Sequence, residues 1–237
     1  MDLQGKVALV TGGGGHLGSS VTRHLLGNGA SVIACEHDSG KLDRLVAQMP
    51  NEGRLTPIVC DVTDEDEVEA MMAEVREDFG GPDALLNLAG GFAAGKSVAE
   101  TELETWRYMF ELNVTSMFLC SKHALPYMLE ADQGRIVSIS SKAADDLPGG
   151  RAAYAVAKAA VLNLTACMAE EIAGTGVACA AVMPSIIDTP ITREARPDAD
   201  PARWVKPEQI TQVLGWLISD EAGAVNGSVL RLYGALT

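Results

Sequence analysis

Lys6-Val-Ala-Leu-Val-Thr-Gly-Gly-Gly-Gly-His-Leu-Gly18 is the stretch from which the rest of the chain is read. Residues 6–11 form a continuous apolar run rather than an alternating one, which predicts a strand buried on both faces. A run of glycines follows, and a helical pattern covers 17–26. Strand, glycine turn and helix start, in that order, are the context in which a glycine-rich loop holds a dinucleotide. Glycine permits a tight turn and close approach of backbone to a pyrophosphate, whose charge the helix N-terminus meets. Gly12, Gly15, His16, Leu17 and Gly18 are therefore candidate cofactor residues.

The same alternation runs outward from this unit. Further apolar runs at 31–35, 55–60, 83–88, 135–139, 177–183 and 229–233 read as strands. Helical patterns fall between them at 42–49, where Pro50 stops the helix, at 103–130, where Pro126 should bend it, at 151–172 and at 207–218. Thr63 reads as the N-cap of another helix, with acids 64–69 crowding its first turn, where the macrodipole favours them. Strand–helix alternation with buried strands predicts right-handed βαβ units on a parallel sheet. The expected fold is α/β, a single doubly wound Rossmann-type domain over 1–237, with a seven-stranded parallel sheet and helices on both faces.

Composition narrows the function. The chain has 237 residues, of which 47% are hydrophobic and 21% charged, a globular balance. A net charge of -14 argues against nucleic acid and against anionic membrane surfaces. No uninterrupted apolar stretch reaches bilayer length and no signal-peptide pattern is present, so the expected address is the cytoplasm. Cys35, Cys60, Cys120, Cys167 and Cys179 lie far apart and read as free thiols. His24, His37 and His123 have no partners at ligand spacing, so no metal site is expected.

In open α/β sheets, ligands bind outside the carboxyl ends of the strands. Glu36 ends the second strand, where a carboxylate accepts from ribose hydroxyls and repels a 2'-phosphate. This favours NAD(H) over NADP(H), with Lys41 and Arg44 downstream as possible modifiers. Asp61 and Val62 follow the third strand, and Asn87, Ala89 and Gly90 the fourth, all at the same edge.

The fifth strand runs through Ile136-Val-Ser-Ile-Ser-Ser141, and the next helix opens Arg151-Ala-Ala-Tyr-Ala-Val-Ala-Lys158. Residues four apart share a helix face, which puts Lys158 beside Tyr154. A free phenol titrates near pH ~10, so only about one in a thousand is ionised at neutral pH. A cation ~4 Å away contributes about 4 kcal/mol at an effective dielectric near 20, enough to lower that pKa by ~2 to 3 units. The spacing therefore predicts a tyrosine able to exchange protons near neutrality.

With these motifs in this order the chain resembles the classical short-chain dehydrogenase/reductase family over nearly its whole length. Asn113 in Leu112-Asn-Val114 and the segment Pro184-Ser-Ile-Ile-Asp-Thr-Pro190 add to the likeness. The resemblance implies Tyr154 as general acid in reduction and general base in oxidation, Lys158 as the group that tunes it and binds the nicotinamide ribose, and Ser141 on the substrate oxygen, with Ser140 as runner-up. It implies Asn113 holding a relay water, and Pro184, Ile187 and Thr189 against the nicotinamide. The chain departs from the family's glycine pattern at His16, and has Ser185 where glycine is usual.

A substrate lid is expected at about 188–206, with Arg193, Arg196 and Arg203 as candidates to face a polar substrate. Phe92, Leu147, Met183 and Trp204 are candidates to line an apolar pocket. The stretch 197–204 is similar to the lid of dihydropteridine reductases, an alternative activity; the commoner one is a small-molecule carbonyl reductase or alcohol dehydrogenase. A non-catalytic nucleotide-binding regulator on the same fold is the competing class. The resemblance implies a homotetramer or homodimer.

Overall fold

A computed structural model describes residues 2–49 and 53–236; Pro50, expected to stop the second helix, lies outside them. In chain order the main elements are β1 (Val7–Thr11), α1 (His16–Gly27), β2 (Ser31–Glu36), α2 (Ser39–Ala47), β3 (Leu55–Val59), α3 (Glu65–Phe79) and β4 (Ala84–Asn87). There follow α4 (Leu103–Phe110), α5 (Ser116–Glu130), β5 (Gly134–Ile139), α6 (Ala143–Asp146), α7 (Ala152–Glu171), β6 (Val177–Pro184), α8 (Pro190–Ala195), α9 (Pro207–Leu217) and β7 (Ser228–Leu232). The strands form one seven-stranded sheet in the order β3-β2-β1-β4-β5-β6-β7. Every pair is parallel. The fold is the expected Rossmann-type α/β arrangement.

The continuous apolar strands are explained by a core on each face. Leu9, Ile33, Leu85, Ile136 and Cys179 face α3, α5 and α7. Their neighbours Ala8, Val10, Val32, Leu86, Val137 and Ala180 face α1 and α9. Side chains alternate across a strand, so both sets must be apolar when both faces are covered. Each fully buried Val, Leu or Ile contributes about 1.5–3 kcal/mol.

Sheet order makes the site. The chain steps outward from β1 to β2 and β3, then returns to β4 on the other side of β1. The loops after β1 and β4 therefore diverge and leave a crevice at their carboxyl ends.

One local expectation is corrected, and the long helix is interrupted. The N-cap of α3 is Asp64, whose side chain accepts from the Asp66 and Glu67 amides. Thr63 instead donates through its amide and hydroxyl to the Asp61 carboxylate, at 2.9 and 2.7 Å. Pro126 lies within α5, in the second half of the 103–130 helix. The helix's departure from α geometry is a π turn at Glu111–Thr115. There the Asn113 side-chain amide donates to the Met109 carbonyl at 2.9 Å, the acceptor that the Asn113 backbone N–H would use in an α-helix.

Candidate active site

The glycine turn closes on itself. Gly12 holds φ +66, a left-handed conformation that glycine adopts without strain. A Cβ at Gly18 would stand 2.1 Å from the Gly12 carbonyl oxygen, so α1 can begin this close to the turn only with glycine there. Thr11 Oγ1 accepts from the Leu88 and Ala89 amides, both at 3.1 Å, which ties the turn to the end of β4. Gly15 is the N-cap of α1 and supplies no side-chain bond, and the first turn carries no acid. The positive end of the helix is thus open to an anion. Beside it lies a cleft of about 400 Å³ lined by Gly12, Gly15, His16, Leu17, Gly18, Glu36, Asp61, Val62, Ala89 and Gly90 among others. Glycines where a side chain would intrude, a bare helix N-terminus and a carboxylate at the far end fit a dinucleotide. His16 is exposed at the cleft and leaves the turn's closure to the glycines.

Glu36 is 6% exposed. Its Oε1 accepts from the His37 amide at 3.2 Å, and lies 2.8 Å from His37 Nδ1 and 3.4 Å from Lys41 Nζ. Gly14 makes room for this group, because a Cβ there would stand 2.7 Å from Lys41 Cβ and 3.1 Å from Glu36 Cγ.

A second group converges on Gly90. A Cβ at Gly90 would stand 2.8 Å from Asn113 Oδ1 and 3.2 Å from Lys158 Nζ. Asn113 Oδ1 accepts from the Gly91 amide at 3.2 Å, so one side chain both shapes the π turn and fixes the β4 loop. Lys158 is buried on α7 and its Nζ donates to the Ile139 carbonyl at 2.9 Å. Tyr154, one turn earlier on α7, lies close enough to Ser141, just past β5, for that side chain to lower its pKa. Ser140 is excluded from that role: its hydroxyl is buried and donates to the Lys158 carbonyl at 2.6 Å. Segments remote in sequence thus bring Ser141, Tyr154, Lys158 and Asn113 to one edge of the sheet.

The family model for short chain dehydrogenases matches residues 6–200. The chain belongs to the short-chain dehydrogenase family. It is 35% identical to meso-2,3-butanediol dehydrogenase of Serratia marcescens over 100% of this chain and 96% of that protein. It is 33% identical to the 3-oxoacyl-acyl-carrier-protein reductase FabG of Thermotoga maritima, over 100% and 99%. The crystal structure of an NAD+-bound xylitol dehydrogenase superposes with a TM-score of 0.91 at 26% identity, covering 99% of this chain and 100% of that one. This dehydrogenase is accordingly an oxidoreductase of a family that uses NAD(H) or NADP(H).

Burial is the largest influence on both Tyr154 and Lys158. Burial raises the Tyr154 phenol above its ordinary value, opposed by the Ser141 side chain and the Arg151 charge. Lys158 is not among the groups that lower it. Burial pushes the Lys158 ammonium down to about 8, and that ammonium is turned to the Ile139 carbonyl. Burial thus opposes the charged form of each group in the protein alone. The consequence for stability has a definite sign. Between about pH 8 and the ordinary value of 10.5 the unfolded chain keeps a proton that the folded chain has shed, so this group's contribution to stability rises with pH. Below about 8 both states are charged and the burial cost stands in full. Replacing Lys158→Met removes this dependence. The melting temperature of the variant minus that of the wild type is expected to fall by roughly a few degrees between pH 8 and 10. A difference that stays flat in calorimetry would refute the shift.

Other expected contacts are redistributed. Asn87 does not line the cleft; its amide donates inward to Ser138 and Ser121 at 3.2 and 3.3 Å, which ties β4 to β5 and α5. Pro184 is buried at the end of β6. Thr189 Oγ1 caps α8 by accepting from the Thr192 amide at 3.2 Å. Ile187 bridges to Val205 through the Ile186 carbonyl and the Asp188 amide, so its own N–H and carbonyl face away from that bridge. Arg193 forms a double bond-pair with Asp188 at 2.6 and 2.9 Å, and Arg203 donates to the Ala235 carbonyl at 3.3 Å, so neither is a free substrate cation. Met183 and Trp204 are core residues, whereas Phe92 and Leu147 are exposed. No group of metal-ligating side chains occurs among the described residues. The helix α7, apolar and long enough to cross a membrane, is packed on β6 and carries Tyr154 and Lys158. The residue that sequence reading passed over is Arg151; its position one turn before Tyr154 was the available signal.

Proposed function

We propose that this dehydrogenase uses NAD(H) to interconvert a secondary alcohol and its carbonyl, with Tyr154 moving the proton. The observation that carries this reading is the placement of Tyr154 and Ser141 at the strand edge where Lys158 and Asn113 converge on Gly90. A bound nicotinamide supplies or accepts the hydride. Tyr154 donates its hydroxyl proton to the carbonyl oxygen in reduction and takes the alcohol proton in oxidation. Ser141 donates a hydrogen bond to the same oxygen and stabilises the charge that develops there. Asn113 holds the β4 loop against α4 and, with Lys158, forms the route by which Tyr154 is reprotonated. Pro184, Ile187 and Thr189 form the floor for the carboxamide end, and 188–206 the substrate lid.

Glu36 supports NAD(H) over NADP(H), and the NAD+-bound neighbour agrees with it. A buried carboxylate repels a 2'-phosphate, while His37 and Lys41 stand ready to receive one if that carboxylate is neutralised. Glu36→Gln is therefore expected to lower the NADH-to-NADPH affinity ratio about tenfold or more. Fluorescence titration of both cofactors measures it, and an unaltered ratio would remove Glu36 from the specificity argument.

The main test is NADH oxidation against small ketones, acetoin and 3-oxoacyl thioesters, with the reverse reaction on the matching alcohols. Turnover of some member is expected. NADH binding with no turnover across the panel would favour a non-catalytic nucleotide sensor. Exposed Leu103, Trp106 and Tyr108 on α4 and Phe118 and Leu129 on α5 support a homodimer or homotetramer. Four buried thiols fit a cytoplasmic setting.

A further inference from the structure

Arg151 lies immediately before α7, and its carbonyl accepts from the Ala155 amide at 2.9 Å, so its backbone is held one turn from Tyr154. Its guanidinium stands 5.7 Å over the centre of the Phe92 ring. Phe92 in turn meets Tyr154 edge-on, with ring centroids 4.9 Å apart and planes at 79°. The loops that carry these groups are joined, since the Gly95 amide donates to the Gly150 carbonyl at 2.9 Å. The chain has 32 acidic against 18 basic residues, yet among the described residues the Arg151 guanidinium has neither an ion pair nor a hydrogen-bond partner. Phe92 and Leu147 are 58% and 66% exposed.

A guanidinium stacked on an aromatic ring uses its face and leaves the donor edge free, and that edge matches a carboxylate bidentately. We propose that Arg151 binds a carboxylate of the substrate, whose apolar spacer lies on Phe92 while its carbonyl or hydroxyl meets Tyr154 and Ser141. The substrate class is an oxo acid or hydroxy acid with the carboxylate removed from the reacting carbon by a short spacer. This rests on the reading of Tyr154 as the proton carrier and adds to it a reason for the unpaired cation at the mouth. The Arg151 charge also acts on the Tyr154 phenol, so the test must separate recognition from that influence.

The experiment compares oxo acids of graded spacer length with their methyl esters, in the wild type, Arg151→Gln and Arg151→Lys, at saturating NADH. The wild type is expected to favour the acid in kcat/KM. Arg151→Gln is expected to collapse the acid-to-ester ratio about 10- to 100-fold, mainly through KM, and Arg151→Lys to restore part of it. Equal losses on acid and ester would overturn the proposal, leaving Arg151 as an influence on Tyr154 alone. Turnover of esters with no acid preference in the wild type would also overturn it while the proposed function stands. A binding arm works without turnover: the same oxo acids are titrated into the NADH complex of Tyr154→Phe, followed by NADH fluorescence. Saturable binding lost in Tyr154→Phe/Arg151→Gln supports the carboxylate site, and binding equal in both refutes it. If no oxo acid or ester turns over in the wild type, this titration still decides the carboxylate site, and the proposed function is decided by the ketone and thioester panel.

Discussion

Tyr154→Phe is expected to lower kcat by about 10²- to 10⁴-fold and to leave NADH affinity within about twofold. The substitution removes one oxygen and leaves the ring, which is held edge-on by Phe92. What is lost is the hydroxyl, the only part of the side chain that the proposed mechanism uses. Cofactor affinity is expected to depend on the glycine turn and on Glu36, which line the cleft. Steady-state rates paired with NADH fluorescence titration separate the two effects. A variant that retained wild-type turnover would mean that the proton comes from another group. Loss of NADH affinity in step with activity would mean that the phenol serves binding, not chemistry.

Gly18→Ala is expected to weaken NADH binding more than tenfold and to lower the melting temperature by roughly 2–10 °C, the range that corresponds to an overpacking cost of about 1–3 kcal/mol. The added Cβ would meet backbone on every side: 2.1 Å from the Gly12 oxygen, 2.8 Å from Gly12 C and 2.8 Å from Gly13 Cα. No side chain can rotate to relieve it, so the turn or α1 must move, and with it the helix N-terminus that would hold a pyrophosphate. Gly27→Ala, at the other end of α1, is the control, because a Cβ there meets nothing within 4 Å. It should match or slightly exceed wild-type stability, since alanine restricts the unfolded chain. Calorimetry on both variants, with NADH titration, checks the contrast; equal behaviour would refute the crowding at Gly18.

Much of the architecture was legible along the chain. Continuous apolar strands announced a sheet covered on both faces, and the glycine run after β1 marked where a helix N-terminus would open onto a cleft. Helix periodicity placed Tyr154 and Lys158 on one face of α7. These readings succeeded because they depend on local geometry: period, turn chemistry and residue size. Others failed for the opposite reason. The cap of α3 fell at Asp64 because Thr63 was drawn to Asp61, a competition between neighbours that composition does not rank. The π turn at Asn113 depends on the Gly91 amide arriving from another loop.

The order of residues thus settled the fold class and the family, since each is written in spacing and side-chain chemistry. Which charge acts on which group was settled by packing between segments far apart in the chain. Lys158 is turned to the Ile139 carbonyl from β5, while Arg151 reaches Phe92 from the β4 loop and stands over the mouth beside Tyr154. Coulomb and desolvation energies depend on through-space distance and burial, and neither quantity exists until the sheet brings those segments together.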